Sequence, residues 1–570
     1  MEHGHVLEHL LLVLVASIPF ALLLRRLGQS TIVGYLIGGL VLGPGGLGLI
    51  PHESISLLAE VGVGLLLFEV GIELSLGKLA RMRRIALGGG ALQVLATVAV
   101  GTFAVWAVGG DLVEGIYVGC AVSLSSTAIV LKTLADRGDL DAPHTGAATG
   151  VAIFQDLATV PMMVVLPALG AGGSAGAMFL AVGVALGKAA LLLGVLWLGS
   201  PLVDRLLYQV ARSRSPEIFV IAVLAVVIAA AVGSAAAGLS LALGAFLAGL
   251  LLSGSRYAHQ ILAETSPLKG VFQATFFVSI GMLIDPRWLF GNLGIVVLVV
   301  AGIVAGKAIL AALALRAVGV SGRVAAATGL VLAQVGEFSF VLIALGRARG
   351  HLVEDHYQLM LAASFLSMAV APPIIGGVRR IVDLLARVPG FGRALSGDPE
   401  PRLAGHSAAL RDHLVICGFG LLGREVAGFA KAQGLPYAVL ELNPRTVEEH
   451  SARGEPIFFG DFSNPRVLEH AGIERARALV VAAPDMDAAR RAVRLARADN
   501  PKLFIVVRSR YQATEAALKA GGADEVVVEE FETALEMVAR LGRAFGIPRF
   551  VAWEEMKVRY QQGADAGASK

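Results

Sequence analysis

The sequence predicts a two-part fold: a polytopic α-helical membrane domain of about thirteen spans, followed by a soluble, Rossmann-like α/β domain. Three observations carry this. The 570 residues are 56% hydrophobic and only 16% charged, whereas a soluble chain has about 25% charged residues. Apolar stretches long enough to cross a bilayer recur from residue 6 to about residue 385. Beyond about residue 400, short strand-like runs alternate with helix-like pieces, and the first run ends in G-x-G-x-x-G.

In chain order the spans fall near 6–24, 31–49, 54–74, 85–108, 112–134, 146–169, 176–199, 215–235, 238–254, 267–284, 288–316, 322–346 and 356–384. The first apolar run, Leu10 to Leu24, is followed rather than preceded by Arg25 and Arg26, and no small-residue cleavage site follows. A retained span is therefore expected, not a cleaved leader. The opening "MEHGH", with His9, reads as a solvated terminus.

Cations orient the bundle. Arg25/Arg26, Lys78/Arg81/Arg83/Arg84, Lys132/Arg137, Arg205/Arg212/Arg214, Arg256/Lys269, Arg316/Arg323 and Arg379/Arg380 fall in every second loop. The loops "VGGDL" and "LGAGGSAG" have none, and only "GRARGH" breaks the pattern. With an odd span count, the N-terminus is expected outside the cell inner membrane and the tail in the cytoplasm.

Polar residues inside the spans point to a pathway. Asp156 sits in "GVAIFQDLATVPMMVVLP" beside Gln155, where an aspartate costs roughly 2.5–3.5 kcal/mol. The fifth span carries "VSLSSTAIV" (Val122–Val130) and the twelfth "LAQVGEFSF" (Leu332–Phe340). Small residues there could serve helix packing alone. Their symmetric placement, one span before Asp156 and one after Lys307, instead favours the broken helices of a secondary transporter built from inverted repeats. Freed carbonyls in such breaks can coordinate a cation. Lys307, mid-span in "VAGIVAGKAILAALAL", is too far from an interface to snorkel and is expected to pair with Asp156. For Glu69, Glu73 and Glu337 a structural role is favoured, with Glu337 kept among the candidate pathway residues.

In the tail, "HLVICGFGLLGREVA" places Gly418, Gly420 and Gly423 between an apolar run and a helix-like segment, and Glu441 ends the next apolar run. This strand–turn–helix–strand–acid order predicts a nucleotide site: glycines admit phosphate to a helix N-terminus, and Glu441 accepts from a ribose. "PIFFGDFSNPRVLEHAGI", "ALVVAAPD", "LFIVVRSR" and "EVVVEE" continue the alternation of a parallel sheet. The expected divisions are a transmembrane domain over 1–385, a Gly/Pro/charge-rich linker over 386–411, a Rossmann-like domain over 412–530 and a partly disordered extension over 531–570.

The net charge of +3 gives no support to nucleic-acid binding. Cys120 and Cys417, the two cysteines, fall in different domains, so no disulfide is expected.

"SLSSTAIVLKTL", "FQDLATVPMM", Lys307 and "QVGEFSFVL", joined to "VICGFGLLGREVA…GDFSNPRVLEHAGI", resemble the Kef-type potassium:proton antiporters. These belong to the second monovalent cation:proton antiporter family and carry a C-terminal RCK/TrkA-N domain. "HQILAETSPLKGVFQATFFVSIGMLIDP" looks closer to the YbaL-like branch. The loop that holds several acids in glutathione-gated members has only Glu264 between Tyr257 and Lys269, which speaks against glutathione gating.

The resemblance implies a sodium:proton antiporter-type inverted-repeat fold with crossed broken helices, a homodimer, and elevator-like alternating access. It implies Asp156 as the ion-carrying acid, the site of the transported K⁺ or Na⁺, with Lys307 as its partner. It implies a nucleotide, AMP or NAD(H), in the tail, with Asp461 joining Gly418, Gly420, Gly423 and Glu441, and it allows an ancillary regulatory subunit.

The expected mechanism is exchange rather than enzymatic chemistry. Asp156 binds a proton and a cation in turn, while Gln155, Ser125, Ser126 and Thr127 complete an oxygen shell. Gln155 stands where some relatives have a second aspartate, so one proton per cation is expected. A nucleotide-gated potassium channel would need a carbonyl filter such as T-V-G-Y-G, and none occurs. A membrane-bound nicotinamide oxidoreductase would need an acid/base residue beside the nicotinamide, which nothing in the tail proposes.

Overall fold

The computed structural model describes residues 2–50, 52–73, 82–137, 139–140, 142–169, 175–213, 215–388, 410–551, 553–556 and 558. Lys78, Arg81, most of the expected linker and the end of the expected extension lie outside them. The chain divides into two compact units, one up to Ser396 and one from Gly397.

The first unit is helical. Its elements are α1 (Glu2–Arg26), α2 (Thr31–Leu42), α3 (His52–Glu73), α4 (Arg84–Ala107, π-helical to Gly90), α5 (Leu112–Ser123), α6 (Thr127–Asp136), α7 (Pro143–Val165) and α8 (Ala175–Arg212). They continue as α9 (Pro216–Ala236), α10 (Leu241–Ser253), α11 (Ala258–Met282), α12 (Pro286–Gly291), α13 (Leu293–Ala317), α14 (Gly322–Val331), α15 (Phe338–Ala348) and α16 (Glu354–Ala386). Each span expected from the sequence overlies one helix or one interrupted pair. Among the described residues, seven helices are long and apolar enough to cross a membrane, and four apolar helices are shorter.

Polar side chains start the helices where the apolar runs begin. Asp111 accepts from the Glu114 N–H at 2.6 Å to cap α5, and Ser215 and Ser240 cap α9 and α10 in the same way. At the other end of α4, Gly109 takes φ 94° and the chain turns back. The segment from Tyr257 to Lys269, expected to be a loop, is instead the opening of α11.

Helices approach closely through small residues. A Cβ on Gly249 of α10 would lie 2.1 Å from the Phe68 carbonyl oxygen of α3. One on Gly90 of α4 would lie 2.7 Å from Phe154 Cβ of α7. Lipid offers no hydrophobic drive between helices, so such close packing holds them together. The largest buried cluster joins Phe276, Phe277, Phe340, Leu361 and Met368.

The second unit is the expected parallel sheet wound with helices. Six strands, β1 (Leu414–Cys417), β2 (Tyr437–Glu441), β3 (Ile457–Phe459), β4 (Ala478–Val481), β5 (Phe504–Ser509) and β6 (Glu525–Val528), run in the order β3-β2-β1-β4-β5-β6. All pairings are parallel, with Val415 opposite both Ala438 and Leu479. Helices cover both faces, so the strands read as nearly continuous apolar runs. Ala489, Ala492, Val493 and Ala496, from the helix Met486–Asp499, fill one side of the core.

Candidate functional site

The two polar interruptions cross. Between α5 and α6 the helix stops at Leu124, Ser125 and Ser126, and between α14 and α15 it stops from Leu332 to Glu337. The Gly336 N–H donates to the Leu124 carbonyl at 3.0 Å. A Cβ on Gly336 would sit 2.7 Å from the Ser125 carbonyl carbon. Backbone therefore lies directly on backbone, which explains the glycine in "QVGEF".

Unpaired backbone groups in such breaks need partners. Ser125 Oγ donates to the Leu332 carbonyl at 2.9 Å, and Gln334 Nε2 donates to the Ser126 carbonyl at 3.1 Å. The Val335 N–H donates to Ser367 Oγ at 3.2 Å. Ser126 caps α6 by accepting from the Ile129 N–H at 3.3 Å.

Asp156, on α7, meets the start of α6: Thr127 Oγ1 donates to Asp156 Oδ2 at 3.3 Å. The helix N-terminus carries partial positive charge, which favours a carboxylate there. Glu337 and Glu73 lie near enough to act on Asp156 through their charges, which brings two acids given a structural role to the site.

Two expectations are corrected. Lys307, 2% exposed, forms no ion pair with Asp156 among the described residues. Its ammonium donates instead to the Leu124 carbonyl and, at 2.7 Å, to the Gln334 carbonyl. The Leu124 carbonyl caps the negative end of α5, where a cation is stabilised, and the Gln334 carbonyl lies within the second break. The Gln155 amide is also not held open toward a cation. Its Oε1 accepts from the Ser125 N–H at 2.9 Å and its Nε2 donates to Gln93 Oε1 at 2.7 Å.

Gln93 was missed by the sequence reading, as were Gln334 and Ser367. A lone amide in the apolar run "ALQVLATVAV" was the signal for the first. Among the described residues, no three His, Cys, Asp or Glu side chains group to hold a metal ion. An alkali cation at Asp156 would be cargo.

In the second unit, the glycine loop lies where the strand order reverses between β1 and β4, the usual place for a nucleotide. Gly418 takes φ 94°, and a Cβ on Gly423 would fall 2.0 Å from the Gly418 carbonyl oxygen. Gly420, at the start of the helix Leu421–Ala432, has nothing within 4 Å of its Cβ position. This leaves space over the helix N-terminus for a phosphate. Glu441 is partly engaged: its carboxylate accepts from the Phe419 N–H at 2.6 Å and the Asn443 N–H at 2.8 Å. It thus ties the glycine loop to the end of β2, with acceptor capacity left for a ribose. Asp461 accepts from the Ser463 N–H at 2.8 Å. Burial and the Asp461 charge both push the Cys417 thiol up.

Residues 10–379 match the family described as sodium/hydrogen exchanger, transmembrane, and residues 414–529 match the TrkA-N domain. The chain belongs to the sodium/hydrogen exchanger family. This exchanger is 33% identical over 549 residues to the putative K(+) efflux antiporter KefB of Alkalimonas amylolytica, covering 95% of this chain and 82% of that one. It is 32% identical over 537 residues to the putative cation/proton antiporter YbaL of Escherichia coli (strain K12), covering 93% and 96%. K(+) efflux antiporter 1, chloroplastic, of Arabidopsis thaliana is 34% identical over 537 residues, and the exchanger spans only 44% of its length.

The solved sodium proton antiporter MjNhaP1 of Methanocaldococcus jannaschii matches 68% of the exchanger and 100% of its own chain, at 16% identity and a TM-score of 0.54. At that identity the likeness shows the fold alone. The membrane unit is therefore the exchanger fold anticipated from the resemblance. Membership carries the family's class of activity, exchange of a monovalent cation for protons, and neither the channel nor the oxidoreductase class gains support from these matches.

Proposed function

We propose that this exchanger moves potassium against protons by alternating access, with Asp156 binding the two ions in turn. The observation that carries the reading is the contact of Asp156 with Thr127 at the crossing of two broken helices, in a chain of the exchanger family. One carboxylate cannot hold a proton and a cation at once, so occupancy by either excludes the other and leak is avoided. Thr127 supplies a hydroxyl oxygen at the carboxylate, Ser125 and Ser126 of the adjoining break would add further oxygens, and Glu337 adds negative charge. Lys307 neutralises the carbonyl ends of the crossing and keeps them from competing with Asp156 for the cation. The relatives named as K(+) efflux antiporters favour potassium over sodium.

In this reading the membrane domain ends near residue 385, the linker over 386–411 leads to the nucleotide domain over 412–530, and residues 531–570 form an extension. The alternation of Lys and Arg between loops supports an outside N-terminus and a cytoplasmic tail in an inner membrane. Gly418, Gly420 and Gly423 would hold the phosphate of AMP or NAD(H), and Glu441 and Asp461 would take the ribose side. A nucleotide shifts the transport cycle only by its difference in affinity for the two arrangements. A homodimer and an ancillary subunit complete the proposal.

The test is proton flux in proteoliposomes under imposed K⁺ or Na⁺ gradients. Asp156→Asn should abolish cation-dependent proton movement while the purified protein keeps its melting temperature. Flux near the wild-type level would end the assignment.

A further inference from the structure

We propose that Gln93 is a positioning residue for exchange: it fixes the Gln155 amide in the one orientation that holds the first helix break beside Asp156. The inference rests on Asp156 being the carrier proposed above.

The break between α5 and α6 leaves the Ser123 carbonyl and the Ser125 N–H without helical partners. Both are satisfied by one buried relay. Gln93 Nε2 donates to the Ser123 carbonyl at 3.2 Å and to Thr97 Oγ1 at 3.1 Å. Gln93 Oε1 accepts from Gln155 Nε2 at 2.7 Å, and Gln155 Oε1 accepts from the Ser125 N–H at 2.9 Å. Thr97 Oγ1 in turn donates to the Gln93 carbonyl one turn back, at 2.8 Å. Gln93, Gln155, Ser123 and Ser125 are all buried, so none of these partners can be replaced by bulk water.

The polarity of the relay is fixed from the Gln93 end. An amide that flipped at position 155 would set its N–H groups against the Ser125 N–H and its oxygen against Gln93 Oε1. Position 155 thus requires an acceptor toward Ser125 and a donor toward Gln93. A carboxylate there would face Gln93 Oε1 with oxygen against oxygen. Gln93 therefore also favours an amide over a second ionised acid next to Asp156.

Local packing brings the pair together. Gly90 lies one turn before Gln93 and lets α4 close on Phe154, the residue before Gln155. The π-helical turn Arg84–Gly90 just upstream is a feature frequent at functional sites. Gln155 and Asp156 are consecutive on α7, about 100° apart around the helix. One binds Ser125 and the other meets Thr127. Loosening the first tie displaces the second, so the cation site at Asp156 depends on an amide that never touches the cation.

The experiment measures cation-dependent proton flux of the full-length exchanger in proteoliposomes, separating apparent cation KM from maximal rate. Gln93→Leu removes the relay. Gln93→Glu keeps an oxygen toward Gln155 and, protonated when buried, a donor toward Ser123. Gln93→Asn, an amide too short to reach, serves if the leucine variant cannot be recovered.

Gln93→Leu or Gln93→Asn should raise the cation KM about tenfold, the scale of one lost buried hydrogen bond, with the maximal rate much less affected. Gln93→Glu should stay within about twofold of wild type, well inside that effect. An unchanged KM in the leucine or asparagine variant, or equal damage in the glutamate variant, overturns the proposal. Asp156→Asn in parallel keeps the two readings apart. If it still exchanges, the carrier assignment fails; if it is silent while the Gln93 variants keep their KM, only the positioning role fails.

Discussion

The Lys307 ammonium donates to the Gln334 carbonyl at 2.7 Å, inside the second helix interruption. Its other bond reaches the Leu124 carbonyl in the first interruption. A single buried cation thus ties the end of α5 to the second break, while Asp156 occupies the opposite, N-terminal polarity at Thr127. Charge is sorted by helix polarity rather than by direct pairing.

Lys307→Met should accordingly act on the fold as well as on transport. It leaves the Gln334 carbonyl unpaired, at a cost of about 1–3 kcal/mol, and the Leu124 carbonyl with the Gly336 N–H as its remaining donor. The melting temperature of the purified exchanger should fall clearly. A melting temperature equal to wild type would show that the carbonyl contacts do not support the crossing.

Gly336→Ala should disrupt the crossing, because its Cβ would press to 2.7 Å on the Ser125 backbone. Gly306→Ala, with nothing within 4 Å of the new methyl, should be neutral or gain up to about 1 kcal/mol from helix propensity. Expression, melting temperature and proton flux of the two variants compare directly. Equal behaviour would mean that the breaks do not meet as described.

Gly420→Ala and Gly423→Ala should separate binding from folding in the tail. The first leaves the fold intact and fills space above the helix N-terminus, so calorimetric binding of AMP or NADH to the full-length protein should weaken about tenfold, a loss of about 1.4 kcal/mol. The second collides with the Gly418 carbonyl oxygen at 2.0 Å and should destabilise the domain itself. If nucleotide binds the Gly420 variant as it binds wild type, the phosphate position is wrong.

His413 supplies a pH dependence. Burial is the main cause lowering its imidazole pKa below the usual value, against a bond to the Ala471 carbonyl at 2.8 Å that raises it. The folded state then binds a proton less readily than the unfolded chain. This contribution to stability is complete above about pH 6.5 and is lost as pH falls from there toward the folded pKa. Hydrogen exchange of β1 in the full-length protein should quicken as pH drops from 7 to 5, after correction for intrinsic rates. His413→Gln should flatten that response; an unchanged slope would remove His413 as its source.

The sequence by itself determined the division into a membrane unit and a parallel α/β unit, because composition and apolar periodicity report burial directly. It also located Asp156, both interruptions and the glycine loop, since a polar residue or glycine in an apolar run signals its own cost. It could not determine who partners whom. Mid-span depth and opposite charge point Lys307 at Asp156, and adjacency to Asp156 points Gln155 at the cation. The tertiary structure gave Lys307 to carbonyls distant in sequence and Gln155 to Gln93 and Ser125. Those choices depend on the azimuth of each helix and the point where two breaks cross, which close packing at residues such as Gly90 and Gly336 sets and local pattern does not encode.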